Sequence, residues 1–142
     1  MKIGTWSIVK EIFIRALWFP ALVFVAHLVL YFVFGVYRKV PGLDMLTHCL
    51  GGIAIAFFFS VTITILSRRG VLSGMDGIVR SVLIFALTAT VAMFWEFGEY
   101  VFDSYFSTRI QAGLEDTLSD MAFGVLGGLI FLLLQRFWRT LS

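Results

Sequence analysis

The chain has 142 residues, of which 60% are apolar and only 14% are charged, and its mean hydropathy is +0.96. A soluble domain of this size cannot bury so much apolar surface, so the composition excludes a soluble globular protein and predicts an integral membrane protein. The net charge of only +2, with cations spread along the chain, excludes a nucleic-acid-binding protein.

The first predicted element is a short helix lying on the membrane surface over residues 3–14, where Lys and Glu mix with apolar residues and Trp6. Four apolar segments follow, and each is about 20 residues long, enough to cross a hydrocarbon core about 30 Å thick. Their predicted bounds are 16–36, 45–66, 79–102 and 118–137. Pro20 lies in the first turns of span one, where a proline is mostly tolerated with room for a mild kink.

The sequence therefore predicts an all-α, polytopic membrane protein: a four-transmembrane-helix bundle with a short N-terminal interfacial helix, forming a single integral membrane domain over residues 1–142. Glycines at 51, 52, 124, 127 and 128 are predicted to be positions of close helix packing. His27 lies in span one and is predicted to hydrogen-bond to a neighbouring helix.

The distribution of cations predicts the orientation. One side of the membrane would hold eight of them, the other only three, and the richer side is expected to be cytoplasmic. The protein is therefore predicted to lie in the bacterial inner (plasma) membrane with both termini in the cytoplasm. The cytoplasmic cations are Lys2, Lys10, Arg15, Arg68, Arg69, Arg80, Arg136 and Arg139, and the outer ones are Arg38, Lys39 and Arg109.

Seven of the nine acidic residues, together with His48, are predicted to lie at the outer end of the bundle. They belong to three separate stretches, and all except Glu115 are spaced so that each helix carries its members on one face. Ionisable groups near membrane depth are costly to keep, so they predict a functional site. Asp103 and Glu115 fall nearest to the loops and are predicted to be solvated. The seven acids are Asp44, Glu96, Glu99, Asp103, Glu115, Asp116 and Asp120.

Carboxylates crowded in this way need neutralisation, and three means are available. A divalent cation held by carboxylate oxygens and His48 is the first, and these ligand types suit Mg, Mn, Ca or Zn. Protonation of some acids is the second. Salt bridges to Arg109, Arg38 and Lys39, which would make the cluster a structural cap, are the third.

Three stretches of these residues, at 44–52, 95–99 and 108–121, resemble the YjdF-like family of small bacterial inner-membrane proteins. Their order is also similar, more distantly, to the VanZ-like membrane proteins. The resemblance covers residues 44–128 and leaves span one unmatched. YjdF-like proteins have no established activity, whereas the VanZ-like resemblance implies a link to the cell envelope. The motif residues that carry over are Asp44, His48, Glu96, Glu99, Gln111, Asp116 and Asp120.

The first functional hypothesis is a metal-dependent hydrolase or transferase that acts on a lipid or a lipid-linked envelope precursor. Glu96 and Glu99 are the candidate catalytic residues, and Arg109 and Gln111 would bind an anionic headgroup. The candidate metal ligands are Asp44, His48, Glu96, Glu99, Asp116 and Asp120.

The alternative hypothesis is a non-catalytic accessory or structural subunit whose polar cap is a salt-bridge network. Its Phe-rich surface would then contact membrane lipids and a larger membrane complex, or a second copy in a homo-oligomer. A transporter ranks third, because the acids occupy only one end of the bundle and no charged path continues to the other.

Overall fold

The computed structural model describes residues 4–38, 40 and 42–141, except for the side chains of Arg38, Arg139 and Leu141. Lys2, Lys39 and Pro41, which the sequence placed at the interfaces and in a turn, lie outside the described residues. No strand occurs in the described part of the chain, so the all-α prediction is confirmed. The helices are α1 (Thr5–Ala16), α2 (Trp18–Leu28), α3 (Leu43–Arg68), α4 (Gly77–Phe106) and α5 (Leu114–Leu141), with a π-helical turn at Val29–Val33 and a 3-10 turn at Val36–Arg38.

Helices α3, α4 and α5 are each long and apolar enough to cross a membrane, and they extend the predicted spans by a few residues at both ends. Helix α1 and the segment Trp18–Val33 meet the same criteria only as a pair, bent by 52°. The protein is therefore a multi-pass membrane protein with three spans, or four when the bent pair counts as one.

Span one differs from the predicted continuous helix over 16–36. The chain breaks at Leu17 between α1 and α2, and it leaves the α-helical conformation again at the π-helical turn. Pro20 explains the first break, because a proline donates no hydrogen bond to the carbonyl four residues earlier, here that of Ala16, and its ring crowds that carbonyl. This break lies within a few residues of the predicted boundary between the N-terminal helix over 3–14 and span one over 16–36. Its bend of 52° exceeds the mild kink predicted at Pro20, and the π-helical turn was not predicted.

The short N-terminal helix is hydrogen-bonded to the residue that follows α3. Glu11 of α1 accepts a hydrogen bond from Nε of Arg69 at 3.2 Å and a second one from the same guanidinium group. Arg15, one turn further along α1, lies 3.5 Å from the same carboxylate. Helix α1 is therefore held against the bundle.

Helix α3 is the centre of the bundle and contacts all four other helices. Its contact with α5 is a backbone contact: a Cβ atom on Gly52 would overlap the carbonyl oxygen of Gly124, and one on Gly127 would overlap that of Cys49. A Cβ atom on Gly128 would lie 2.9 Å from Thr88 of α4. Missing side chains thus allow the close approach that was predicted at Gly52, Gly124, Gly127 and Gly128. The same prediction is wrong for Gly51, where a Cβ atom would meet nothing within 4 Å.

We call the end of the bundle that holds Asp44, Glu96 and Asp120 the acidic end. At the opposite end, Arg80 of α4 donates to the carbonyl oxygen of Ser60 at 2.8 Å and also to Thr64. Gln135 of α5 donates to the Ser60 hydroxyl at 2.6 Å. These hydrogen bonds join α3, α4 and α5 far from the acids.

Candidate functional site

Helix packing brings the polar residues of α3 and α5 together at the acidic end. His48 and Asp120 each lie one helical turn before a glycine of the backbone contact, Gly52 and Gly124. Because those glycines hold the two helices close, the side chains one turn nearer the acidic end meet. The sequence pattern of His or Asp followed by Gly four residues later encodes this juxtaposition.

His48 lies between two carboxylates. Its Nε2 atom is 3.5 Å from Oδ1 of Asp44 and 3.8 Å from Oδ2 of Asp120. One ligand atom from each of the three residues lies within 4.8 Å of the other two, an arrangement that can hold a metal ion. Of the predicted metal ligands, these three therefore lie closest to one another.

Glu96 lies on the other side of the same imidazole. Its Oε1 atom is 3.8 Å from His48 Nδ1, and the residue is only 4% exposed. Gln111 lies near enough to interact with Glu96, yet neither carboxylate oxygen has a partner at hydrogen-bonding distance. Glu96 is therefore a buried acid in need of a donor or a cation.

Unsatisfied atoms concentrate at this place. Oδ1 of Asp44, Nε2 of His48 and both carboxylate oxygens of Glu96 are buried without a hydrogen-bond partner. No Lys or Arg among the described side chains forms an ion pair with these acids or with Asp120. Buried acceptors without donors are rare in proteins, so the arrangement is typical of a ligand site.

Arg109 does not provide the salt bridges of the structural-cap hypothesis. It is exposed and lines a separate cavity of about 530 Å³, together with Tyr31, Tyr37 and the loop after α4. Lys39 and the side chain of Arg38 lie outside what the structure describes.

A second group of polar residues adjoins the first on the side of α2. Trp95 Nε1 donates to Oε1 of Glu99 at 2.8 Å, and His27 Nε2 lies 3.9 Å from the same oxygen. The Tyr37 hydroxyl lies 3.0 Å from His27 Nδ1 and 3.2 Å from the Thr47 hydroxyl. Burial raises the pKa of Tyr37, so this hydroxyl stays protonated and can donate. In this group, Glu99 accepts a hydrogen bond from Trp95 and faces His27.

Sequence reasoning missed that His27 belongs to the site. His27 was predicted to hydrogen-bond to a neighbouring helix, but its hydrogen-bond partner is Tyr37, in the 3-10 turn that follows its own segment. The rings of His27 and His48 also lie only 5.9 Å apart. The π-helical turn at Val29–Val33 follows His27 almost directly, and such turns are frequent at functional sites. No local signal in the sequence announces that turn.

Asp103 and Asp116 fold the loop between α4 and α5. Asp103 accepts hydrogen bonds from the Thr108 hydroxyl and from the backbone amides of Ile110 and Gln111, the last two at 2.9 and 3.0 Å. Asp116 accepts one from the amide of Ala112 at 2.9 Å. Asp103 therefore stabilises this loop through hydrogen bonds, whereas it was predicted to be a solvated charge. Asp116 is not one of the three residues that converge at His48.

A family model described as "Predicted membrane protein (DUF2238)" matches residues 6–141 of the chain. Neither the curated proteins nor the solved structures contain a match.

Proposed function

The chain belongs to the DUF2238 family of predicted membrane proteins, and we propose that it binds a divalent metal ion at its acidic end and uses it to bind or act on a lipid or a lipid-linked cell-envelope precursor. The observation that carries the proposal is the convergence of Asp44, His48 and Asp120 from two helices. Two of them present buried atoms without hydrogen-bond partners.

The geometry suits a small ion. Ligands at about 2.1 Å in a tetrahedral site lie about 3.4 Å from one another, and His48 Nε2 is 3.5 and 3.8 Å from the two carboxylate oxygens. A small inward movement of Asp120 completes the set. One imidazole nitrogen with two carboxylates favours Zn²⁺ or Mn²⁺ over Ca²⁺ and Mg²⁺, which prefer oxygen ligands.

Glu96 would orient the histidine ligand. Since His48 presents Nε2 to the two aspartates and Nδ1 to Glu96, a proton on Nδ1 would point toward Glu96 and leave Nε2 free to bind the ion. Carboxylate, imidazole and metal in this order is a common arrangement in metalloproteins. Glu99, held by Trp95, is the candidate general base on the His27 side.

A bound cation also removes the electrostatic cost of the cluster. Three carboxylates surround His48 within 4 Å, and none of the described Lys or Arg side chains pairs with them. Like charges so close at membrane depth need a counter-ion or a proton. A divalent ion supplies the charge and would also polarise a phosphoryl or carbonyl oxygen of a substrate.

The location of the site supports a lipid as the substrate class. The three metal-ligand candidates lie near the ends of helices whose outward surfaces are apolar, so a lipid headgroup can reach them from the bilayer. Arg109 and Tyr37 line a neighbouring cavity that suits an anionic headgroup. In the predicted orientation, with both termini in the cytoplasm of a bacterial cell, the site faces outward, where the VanZ-like resemblance implies an envelope role.

Isothermal titration of the purified protein with Zn²⁺ and with Mn²⁺ tests the metal site. The unmutated protein should bind one ion, and His48→Ala and Asp120→Asn should abolish that binding. The matched control is Glu115→Gln, which removes an exposed acid from the same end of the bundle and should bind normally. Equal binding by all four proteins would contradict the proposal.

Lipid analysis of cells tests the second part of the proposal, that the site binds or acts on a lipid or a lipid-linked precursor. Cells that carry His48→Ala in place of the normal protein should accumulate an envelope lipid or precursor. If metal binding is lost while the lipid profile stays unchanged, the site is structural, and the accessory-subunit hypothesis takes its place.

A further inference from the structure

A cavity of about 410 Å³ lies between α2 and α4, directly beneath the polar cluster. Its volume falls in the range of small-molecule sites, roughly 300–1,000 Å³. Helices α3 and α5 form its floor through Gly51, Gly52 and Gly124. Nothing in the proposed metal chemistry requires this space.

The cavity exists because α2 and α4 do not pack against each other. Both contact α3, but their backbones stay more than 8 Å apart. Only side chains bridge the gap, at the acidic end, where Trp95 meets Phe24 and His27 at ring distances of 5.6 and 5.3 Å. Further from the acidic end, smaller side chains face the space between α2 and α4.

The lining changes from polar to apolar along the cavity. His27, Thr47 and His48 line one end, and His48 is the same residue that faces Asp44 and Asp120. Aliphatic side chains line the rest. These include Leu17, Pro20, Val23, Ile55 and Val91. Such a lining is complementary to an amphiphile whose head lies at the histidines and whose tail points toward the opposite end.

The cavity is long enough for part of an extended hydrocarbon chain. Thr47 and Ile55, which line it from α3, are eight residues apart, about 12 Å by helical rise.

Gly51 keeps the floor of the cavity open. A Cβ atom on Gly51 would meet nothing within 4 Å, whereas one on Gly52 would overlap the backbone of α5. Helix packing therefore explains Gly52 but not Gly51. Gly51 therefore leaves the floor of the cavity free of any side chain.

We propose that the cavity between α2 and α4 binds the hydrocarbon chain of a membrane lipid whose polar head lies at His27 and His48. The inference rests on the proposed function, since it places a lipid's chain beneath the metal-ligand residues. It adds the substrate's shape: one hydrocarbon chain enters between α2 and α4, and the absence of a side chain at Gly51 leaves room for it.

Photo-cross-linking tests the inference. The full-length protein is placed in vesicles of phosphatidylethanolamine and phosphatidylglycerol that contain a phosphatidylglycerol with a photoreactive diazirine in one acyl chain. We expect cross-links to concentrate at Val23, Ile55 and Val91 and to be sparse at Leu133, which is exposed on α5. An even distribution over all exposed apolar residues would overturn the inference.

Filling the cavity gives the decisive comparison. Gly51→Leu and, independently from the α2 side, Ala21→Leu should each reduce cross-linking at Val91 by about tenfold, because they exclude the chain from the space. Gly98→Leu is the matched control, since Gly98 is an exposed glycine of α4 with nothing within 4 Å. Circular dichroism confirms that each variant is helical. Unchanged cross-linking in both cavity variants would overturn the inference.

A parallel cation titration of the unmutated protein separates the two proposals. Chain binding at the cavity without cation binding would contradict the metal site and leave the lipid cavity standing. Cation binding without localised cross-linking would overturn only the cavity.

Discussion

His48 uses both of its ring nitrogens, and this decides how the residues around it should respond to mutation. Nε2 faces Asp44 and Asp120, whereas Nδ1 faces Glu96. Removing Asp120 takes away one of the proposed metal ligands. Removing the charge of Glu96 instead leaves the ligands in place and weakens the control of the imidazole's orientation and protonation.

Glu96→Gln should therefore weaken metal binding by about 10–100-fold without abolishing it. The free energy of unfolding without metal should not fall, because the variant removes a buried acid whose oxygens have no partner. Zinc titration and unfolding in sodium dodecyl sulfate measure the two quantities. A loss of stability with unchanged affinity would mean that Glu96 has only a structural role.

Asp103 has a different role, since it organises the loop that carries Arg109 and Gln111. Asp103→Ala leaves the amides of Ile110 and Gln111 without their acceptor, and we expect it to cost about 1–3 kcal/mol in stability. Hydrogen exchange at those two amides should accelerate, and Glu115→Gln should leave both rates unchanged. Slow exchange in Asp103→Ala would show that something other than this carboxylate holds the loop.

At the scale of the elements, one glycine contact positions α3 against α5. Gly52 and Gly124 meet backbone to backbone, while Thr88 and Ala92 of α4 face the other side of α5 at Gly128 and Gly124. The contact leaves no room for even a methyl group. Helix position and site geometry are therefore coupled through these residues.

Gly52→Ala should separate α3 from α5 and destabilise the protein by on the order of 1–3 kcal/mol. It should also weaken metal binding, because His48 and Asp120 move apart with the helices. Gly51→Ala is the matched control, one residue away with nothing near its Cβ atom, and its stability should be equal or slightly higher. Equal behaviour of the two variants would refute the coupling.

The sequence predicted much of this architecture because membrane spans have a strong signal. Hydropathy located α3, α4 and α5 within a few residues, and helical spacing placed His48 with Asp44 and Asp120 near one end. It predicted a boundary between the N-terminal helix and span one within a few residues of Leu17, but it did not predict the π-helical turn, because apolar composition is the same in straight and bent helices. His27 was misjudged for that reason: its approach to His48 depends on the path of span one.

At the scale of the whole molecule, the charges differ between the two ends. Arg68 and Arg69 close α3 at one end, whereas Asp103 and Asp116 lie at the other. The direction in which the acidic end faces decides which leaflet supplies the lipid.

Cysteine labelling tests the predicted orientation. In a Cys49→Ala background, a cysteine placed by Ala112→Cys, in the exposed loop at the acidic end, should react with a membrane-impermeant maleimide in intact cells. One placed by Ser73→Cys, in the exposed loop at the opposite end, should react only after lysis. This follows from the excess of cations on the Ser73 side. The reverse pattern would place the acidic end in the cytoplasm.

The contact of Gly52 with Gly124 also constrains how the family can diverge. In any relative that has gained a side chain at either position, α3 and α5 must stand further apart, and an imidazole and an aspartate one turn away could no longer share an ion. Inheritance should therefore link the four positions. We expect relatives that keep both glycines to keep the imidazole and the carboxylate, and relatives that lose a glycine to lose them as well.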